Sequence, residues 1–252
     1  MRVIIIGSSG LIGKNFYKYL KKKNYNVIGT YNKNKNVKSY IKFDLKKDDI
    51  TKKIKNLNQK DAIVIFSAYA NPGWISENQK EANLVNIEST KKLINKINKK
   101  NCKIIFMSSV EVFNGKNKKY FENDKPKPLN FYGKSKLEIE KYIKNNVKNY
   151  IIFRTSWNSD TRIGHRCVIE LTYNTIMSKN AKMAHDNIFS ITYVNDLCRM
   201  IEKYINLNRK IIHIANPETI SRYLLATKIK INSKNNFKMA FKKCRFKDIK
   251  YK

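Results

Sequence analysis

Short runs of apolar residues recur along the chain, and segments that mix apolar and charged residues separate them. Nearly continuous runs of Ile, Val and Phe are typical of strands buried on both faces, as in a parallel sheet covered by helices. Between the first two runs, Leu11, Ile12, Phe16 and Leu20 keep the spacing of one helix face. Strands that alternate with helices predict an α/β fold, with a doubly wound parallel sheet and helices on both of its faces. The predicted strands are 2–6, 26–30, 40–43, 62–67, 103–108, 150–154 and 211–215.

The apolar pattern becomes thinner after Arg154. We expect a helix around 194–205, then the strand at 211–215, a second helix around 221–231 and a basic tail after it. These elements offer little material for a second domain.

The charge of the chain is strongly positive, but its distribution argues against a dedicated nucleic-acid site. The 252 residues carry 53 basic and 19 acidic side chains, for a formal net charge of +34. Eight of the 53 are Arg, which leaves 45 Lys, and these are spread along the chain. Nucleic-acid sites rely on Arg for bidentate and stacking contacts, whereas dispersed lysines are typical of a solvated surface. We therefore expect no specific nucleic-acid partner.

Cysteine usage and hydropathy favour a cytoplasmic protein. Cys102, Cys167, Cys198 and Cys244 form no C-x-x-C pair, so we expect neither a metal site nor a disulfide framework. The apolar run after Met1 is too short for a signal peptide, and no stretch approaches about 18 uncharged apolar residues. We expect no export signal and no membrane insertion.

A glycine-rich loop follows the first predicted strand and opens the first predicted helix. Residues 7–13 read Gly-Ser-Ser-Gly-Leu-Ile-Gly. Glycines at this spacing permit a tight turn, a close approach of the backbone to a pyrophosphate, and packing of the helix on the strand, while the helix N-terminus offers free N–H groups to the anion. The loop therefore predicts a dinucleotide site in a Rossmann-type sheet. Its candidate residues are Gly7, Ser9, Gly10, Leu11, Ile12 and Gly13.

The end of the second predicted strand bears on which dinucleotide binds. An Asp or Glu there would hold the ribose 2′-OH of NAD, but Tyr31 is followed by Lys33 and Lys35 with no acid between them. Two lysines can meet a 2′-phosphate, so we favour NADP(H) over NAD(H). The alternative is that Lys33 and Lys35 are two more of the many surface lysines.

A tyrosine and a lysine lie four residues apart at the start of a later helical pattern, in the segment Tyr132-Gly133-Lys134-Ser135-Lys136. This spacing puts Tyr132 and Lys136 on one helix face, where an ammonium can stabilise a phenolate and tune the phenol for proton transfer near neutral pH. The preceding strand leads into Ser109, which brings a hydroxyl to the edge where ligands of an open α/β sheet bind. We take Ser109, Tyr132 and Lys136 as the candidate catalytic residues.

Several short motifs, taken in order, resemble those of the extended short-chain dehydrogenases/reductases, and more narrowly the dTDP-4-dehydrorhamnose reductase branch. The resemblance implies that Tyr132 donates a proton to the C4 ketone of a sugar and that Ser109 hydrogen-bonds the ketone oxygen. Lys136 would lower the pKa of Tyr132 and bind the nicotinamide ribose, and the nicotinamide would supply a hydride. The motifs lie at 7–13, 67–70, 85–90, 108–115, 132–136, 153–157, 192–197 and 221–223 and together span nearly the whole chain.

The same resemblance implies further ligand contacts. Asn86 matches an asparagine of the fourth helix, and Trp157 matches a tryptophan that faces the sugar, with an indole in the core as the alternative. Asp44 corresponds to an acid near the adenine, or else is a solvated strand end. Arg154 is expected to form an ion pair rather than to bind phosphate. The other cofactor candidates are Leu45, Ala68, Tyr69 and Ala70, and Arg222 is a further substrate candidate.

Two departures from the family pattern concern the substrate. The reductase branch usually reads S-T-D-Y-V-F after the fifth strand, whereas this chain has Val110-Glu111 in place of the Asp-Tyr pair. Related dehydratases carry an Asp-Glu pair there, so Glu111 without the Asp disfavours dehydration and leaves epimerisation or another keto-sugar reduction open. Glu111 is either a substrate contact or a solvated loop charge. The chain also stops earlier than related reductases, which predicts a small substrate lobe. Such a lobe would bind a smaller or more exposed sugar nucleotide, or borrow surface from a second subunit, as in a homodimer.

Together these observations predict an NAD(P)-binding Rossmann domain at 1–155 and a reduced substrate-binding lobe at 156–252, interleaved with the last strands of the sheet. The expected function is an NADP(H)-dependent reductase of a nucleotide-activated 4-keto-deoxy sugar in surface polysaccharide synthesis. Two alternatives stay open. One is a sugar-nucleotide 4-epimerase with tightly bound NAD, and the other is a non-catalytic NADP-binding regulatory subunit such as that of methionine adenosyltransferase.

Overall fold

The computed structural model describes residues 1–35, 37–160, 167–178, 180–233 and 241–245 of the chain. The chain divides into two compact units, one formed by Met1–Thr155 with Cys198–Ile214 and the other by Ser156–Leu197 with Ala215–Lys252. Each unit is built on β-structure of its own.

The strands of the described residues are β1 (Arg2–Ile6), β2 (Asn26–Tyr31), β3 (Ile41–Lys42), β4 (Asp61–Ile65), β5 (Lys103–Ser109), β6 (Tyr150–Thr155), β7 (Trp157–Ser159), β8 (Ala181–Ala184), β9 (Ile188–Tyr193), β10 (Lys210–Ile214), β11 (Thr219–Ser221) and β12 (Phe241–Cys244). The α-helices in the same ranges are α1 (Leu11–Lys22), α2 (Ile50–Lys53), α3 (Pro72–Glu77), α4 (Gln79–Asn83), α5 (Thr90–Asn98), α6 (Phe131–Asn146), α7 (Val168–Ile176), α8 (Val194–Tyr204) and α9 (Arg222–Ile231). A π-helix (Leu84–Ser89) lies between α4 and α5, and a 3-10 turn (Val110–Val112) follows β5. None of the helices in these ranges is both long enough and apolar enough to cross a membrane.

A seven-stranded parallel sheet forms the first unit, in the order β10-β6-β5-β4-β1-β2-β3. The chain winds from β1 outward to β3 on one side and from β4 outward to β10 on the other. Such a reversal opens a crevice at the carboxyl ends of β1 and β4, where ligands of doubly wound sheets bind. The predicted α/β fold with a doubly wound parallel sheet is confirmed.

The core of the first unit consists of the apolar strands and the helix faces that pack on them. Ile4 and Ile6 of β1 and Ile63 and Ile65 of β4 are fully buried or nearly so. Burying one such side chain stabilises the fold by about 1.5–3 kcal/mol, so the Ile-rich strands are a main source of stability. Phe16 of α1 is also fully buried, as the predicted helical spacing requires.

The second unit contains a three-stranded sheet in the order β11-β9-β7 and a separate pair formed by β8 and β12. The helix predicted around 221–231 is confirmed as α9, and Ser221 caps it by accepting the N–H of Leu224 at 3.1 Å. The apolar pattern does not predict β7, β8, β9, β11 or α7, because these elements are short and mix apolar with polar residues. The prediction that only a tail follows residue 231 is wrong, because β12 lies there and pairs with β8.

Candidate active site

The loop between β1 and α1 has a backbone that requires glycine. Gly7 adopts a φ of +91°, and a Cβ atom at Gly13 would lie only 2.3 Å from the carbonyl oxygen of Gly7. The N–H groups of Gly7 and Ser8 donate to Oγ1 and to the carbonyl oxygen of Thr30, at 3.2 and 2.9 Å, and so fix the loop to β2. The predicted tight turn and the close packing of α1 on β1 are both present.

The start of α1 fits an anionic ligand. Gly10 is the N-cap residue, and no side chain in the described part of the chain caps this helix. Leu11 and Ile12, which follow Ser9 and Gly10, carry N–H groups that helix geometry leaves without an intrahelical partner. Uncapped amides beside the glycine turn fit the pyrophosphate of a dinucleotide, because they point at the ligand and the helix dipole favours negative charge.

The residues predicted to select the dinucleotide follow β2 and β3. Lys33 and Lys35 are exposed beyond the half-buried Tyr31, and Nζ of Lys35 lies 5.8 Å from the Tyr31 ring centroid. Asp44 follows β3 and its carboxylate accepts the N–H of Lys46 at 2.9 Å, next to the buried Leu45. The Asp44 carboxylate therefore shapes its own turn, and the ligand contacts of these residues stay predictions.

Asn86 fixes the backbone that follows β4. Its buried side chain accepts the N–H of Tyr69 at 2.8 Å and donates to the carbonyl oxygen of Tyr69 at 2.9 Å. These two bonds hold the centre of the Ala68-Tyr69-Ala70 segment, which is predicted to pass the cofactor. Asn86 lies in the π-helix, and π-helical turns are frequent at functional sites.

The three candidate catalytic residues lie around the carboxyl end of β5. Nζ of Lys136 lies 5.5 Å from the Tyr132 ring centroid and donates to the carbonyl oxygen of Met107 at 2.8 Å. Ser109 ends β5, and its Oγ accepts the N–H of Glu111 at 3.2 Å. The 3-10 turn that carries Glu111 packs against the first turn of α6, which carries Tyr132.

The ionisation of Tyr132 and Lys136 differs from the sequence-based expectation. Burial raises the pKa of Tyr132, and the nearby Glu111 carboxylate raises it further. Burial lowers the pKa of Lys136 to about 8, and the Glu140 carboxylate opposes this shift. The resemblance implied that Lys136 lowers the pKa of Tyr132, but desolvation and Glu111 raise it in this structure, so Tyr132 holds its proton.

Glu111 is part of the site's framework and is half-buried. Its Oε2 accepts a hydrogen bond from Nδ2 of Asn130 at 2.8 Å. The other end of the Asn130 side chain caps α6, because Oδ1 accepts the N–H of Gly133 at 2.8 Å. One side chain thus links Glu111 to the first turn of α6. Asn130 was not among the predicted site residues, although an Asn two residues before Tyr132 is a helix-start signal that could have identified it.

A buried ion pair lies behind the catalytic residues. Arg154 on β6 donates to the Glu140 carboxylate through Nε at 2.9 Å and Nη2 at 2.6 Å, and both side chains are 2% exposed. Oγ of Ser108 donates to Oε1 of Glu140 at 2.5 Å. The prediction that Arg154 forms an ion pair is confirmed. Glu140 itself was missed, although its position four residues after Lys136 on one helix face was a usable signal.

The predicted substrate contacts Trp157 and Arg222 belong to the second unit and lie together there. The Arg222 guanidinium carbon is 4.9 Å from the centroid of the half-buried Trp157 ring. The ring centroids of Trp157 and Phe189 are 5.6 Å apart. Trp157 therefore contacts both a cation and the apolar cluster around Phe189. Its role toward a ligand stays a prediction.

Metal-binding clusters are absent from the ranges that the structure describes, where no three His, Cys, Asp or Glu side chains are placed to hold an ion. In the same ranges, Cys102, Cys167 and Cys198 are buried.

Comparison with known proteins places these residues in a family context. The family model of the RmlD substrate binding domain matches residues 1–244. Methionine adenosyltransferase 2 subunit beta of Danio rerio is 26% identical over 232 residues, which cover 88% of this chain and 71% of that protein. Spore coat polysaccharide biosynthesis protein SpsK of Bacillus subtilis is 25% identical over 249 residues, which cover 90% of this chain and 78% of that protein. The crystal structure of a hypothetical dTDP-4-dehydrorhamnose reductase from Sulfolobus tokodaii is 26% identical, with a TM-score of 0.79 and coverage of 97% of this chain and 86% of that chain.

The family match spans both units, and the resemblance inferred from the order of the sequence motifs is confirmed. The chain belongs to the RmlD substrate binding domain family, within the dTDP-4-dehydrorhamnose reductase-like branch of the extended short-chain dehydrogenases/reductases.

Proposed function

We propose that this protein is an NADP(H)-dependent reductase of a nucleotide-activated 4-keto-deoxy sugar, and that it serves surface polysaccharide synthesis. The observation that carries the proposal is the grouping of Tyr132, Lys136 and Ser109 at the carboxyl end of β5, in the same unit as a glycine loop that fits a dinucleotide. Similarity to a dTDP-4-dehydrorhamnose reductase and to SpsK supports the substrate class and the setting.

The residues of the chain supply the proton chemistry of such a reduction, and a bound nicotinamide supplies the hydride. Tyr132 is a neutral phenol because its pKa is raised, so it holds a proton that it can give to the ketone oxygen. Lys136, 5.5 Å from the phenol ring, stabilises the phenolate that this transfer leaves. Ser109 donates a hydrogen bond to the same ketone oxygen and orients it.

Cofactor and substrate are assigned to different parts of the chain. In this proposal the turn at Gly7 and the uncapped start of α1 bind the pyrophosphate, and Asn86 keeps the backbone at Tyr69 in place for the cofactor. Lys33 and Lys35 bind the 2′-phosphate, which is the basis for preferring NADP(H). The first unit is the cofactor domain, and Trp157 and Arg222 are proposed contacts of the sugar nucleotide.

Turnover assays test this proposal. Purified protein is incubated with NADPH or NADH and a panel of 4-keto-deoxy sugar nucleotides, and absorbance at 340 nm is followed together with the products. Tyr132→Phe removes the proton donor, and Tyr142→Phe is the matched control, because Tyr142 lies on the same helix and bonds Asn95 instead. We expect NADPH consumption by the wild type and by Tyr142→Phe and a loss of at least about a hundredfold in Tyr132→Phe. Absence of turnover with every substrate would refute the reductase. A second panel of nucleotide sugars that carry a C4 hydroxyl is incubated without added cofactor, and inversion at C4 by protein that retains NAD⁺ would indicate the 4-epimerase instead.

A second candidate function has a specific observation in its favour. A methionine adenosyltransferase 2 subunit beta is 26% identical to this chain, so a non-catalytic NADP-binding subunit is the competing proposal. Mixing the protein with a methionine adenosyltransferase catalytic subunit from the same organism, followed by size-exclusion chromatography, tests it. A stable complex together with no sugar-nucleotide turnover would support the subunit, whereas two separate peaks would count against it.

A further inference from the structure

Glu140 occupies the centre of a buried hydrogen-bond network next to the candidate catalytic residues. Its carboxylate accepts hydrogen bonds from Nε and Nη2 of Arg154 and from the hydroxyl of Ser108. We infer that Glu140 is a positioning residue for the active site, which seats the end of β5 through Ser108 and keeps the Lys136 ammonium charged from one helical turn away. This inference rests on the proposed function only in taking Lys136 as the lysine of the site.

The contact with Ser108 ties Glu140 to the strand end that carries the site. Ser108 lies between Met107 and Ser109 at the end of β5. The carbonyl oxygen of Met107 accepts a hydrogen bond from Nζ of Lys136, and the hydroxyl of Ser109 is the group proposed to contact the ketone. Fixing the Ser108 side chain therefore fixes both neighbours. The 2.5 Å bond is charge-assisted, and such bonds are stronger than bonds between neutral groups.

The electrostatic part of the inference depends on which groups surround Lys136. Its own helix supplies Tyr132 and Glu140, which lie one turn before it and one turn after it. The end of β5 supplies the Met107 carbonyl. Glu111 on the 3-10 turn acts on the neighbouring Tyr132. Arg154 on β6 is held against Glu140. Of these groups, the Glu140 carboxylate raises the pKa of Lys136 against the opposing effect of burial, so removing it should leave the ammonium less stable.

The stability of the fold alone does not account for an ion pair at this position. Taking two charges out of water is expensive, and well-packed apolar residues of similar size often serve equally well. The chain offers a comparison, because Asp61 at the amino end of β4 forms a second largely buried pair with Arg2, at 2.7 Å. That pair lies at the opposite edge of the same sheet, where no candidate catalytic residue is found among those described.

The titration of Lys136 tests the inference without turnover. Protein labelled with ¹³C and ¹⁵N lysine is titrated by NMR, and the Lys136 signal is identified by its loss in Lys136→Met. We expect a midpoint near pH 8 in the wild type, a midpoint about one pH unit lower in Glu140→Gln, and no change in Asp61→Asn, which also breaks a buried pair. If Glu140→Gln does not fold, the paired variant Glu140→Leu with Arg154→Leu takes its place, because it leaves no buried charge unpaired. A smaller downward shift is expected there, because this variant also removes the Arg154 cation, which opposes the charged form of Lys136.

Equal Lys136 midpoints in the wild type, Asp61→Asn and the Glu140 variant would overturn the inference. The two proposals fail separately. A shifted midpoint in a protein that reduces no keto sugar would uphold the role of Glu140 and refute the reductase. An active reductase in which the Lys136 midpoint is the same with and without the Glu140 carboxylate would uphold the reductase and refute the role of Glu140.

Discussion

A Cβ atom at Gly133 would lie 2.0 Å from the carbonyl oxygen of Glu111, so the helix that carries Tyr132 touches the turn after β5 at a point where only glycine fits. This contact sets the distance between Tyr132 and the end of β5, and the Asn130 side chain reinforces it by bonding both partners. The placement of the phenol therefore depends on a residue without a side chain.

Replacing Gly133 with Ala should displace the first turn of α6. We expect a loss of about 1–3 kcal/mol in the free energy of unfolding, because the new methyl group overlaps backbone that cannot yield easily. Chemical denaturation measures this, and turnover should fall along with stability. Gly73→Ala in α3 is the control, because its Cβ would make only an ordinary contact at 3.4 Å and Ala favours helix. Equal stability and activity of Gly133→Ala and the wild type would contradict the account.

Replacing Asn86 with Ala should weaken cofactor binding. The change leaves the N–H and the carbonyl oxygen of Tyr69 without their buried partner, and such a loss corresponds to about 1–3 kcal/mol. We expect the Kd for NADPH, measured by fluorescence titration, to rise about tenfold. Asn83→Ala is the control, because Asn83 lies three residues earlier and bonds the exposed Glu88. Parallel effects of the two changes would argue against a specific role for Asn86.

The pH dependence of the proposed reductase should show a basic limb near pH 8. The pKa of Lys136 is lowered to about 8, so its ammonium is present below that pH and is lost as the pH rises through it. Tyr132 keeps its proton throughout this range, because its pKa is raised. We expect kcat/KM to fall above about pH 8 in the wild type. Lys136→Arg should show no limb there, since a guanidinium stays protonated, and a limb that persists in this variant would assign it to another group.

Replacing both Lys33 and Lys35 with Ala should weaken the binding of NADPH but not that of NADH. If these side chains bind a 2′-phosphate, the Kd for NADPH should rise about tenfold or more while that for NADH stays unchanged. The control is the pair Lys21 and Lys22, which are exposed at the far end of α1. The measurement is made at fixed salt, because dispersed lysines attract any anion. Equal losses for both cofactors, or from both pairs, would reject a 2′-phosphate site.

Most of the first unit could be predicted from the sequence, because its strands are unbroken apolar runs and its glycine loop has a strict geometric purpose. The second unit could not, since β7 and β11 have three residues each and β8 and β12 form a pair from segments 60 residues apart in register, Ala181 with Phe241. Short mixed segments such as these carry no clear period for a pattern to reveal.

The candidate site also has a part that could be predicted from the sequence and a part that could not. Tyr132 and Lys136 are neighbours on one helix face, so their spacing already places them together. Glu140 meets Ser108 and Arg154 across 32 and 14 residues of chain, and only the folded sheet brings those three together. The raised pKa of Tyr132 was likewise beyond the sequence, because it depends on burial and on the position of Glu111.

Hydride transfer to a 4-keto sugar is the central claim, and isotope transfer measures it most directly. The protein is incubated with NADPH that carries deuterium at the transferable position and with a 4-keto-deoxy sugar nucleotide, and the product is examined by NMR. The account predicts one deuterium bonded to C4 of the product sugar for each NADPH oxidised, and none of this product with Tyr132→Phe. A product without deuterium at C4, or no product from any 4-keto sugar nucleotide, would contradict it.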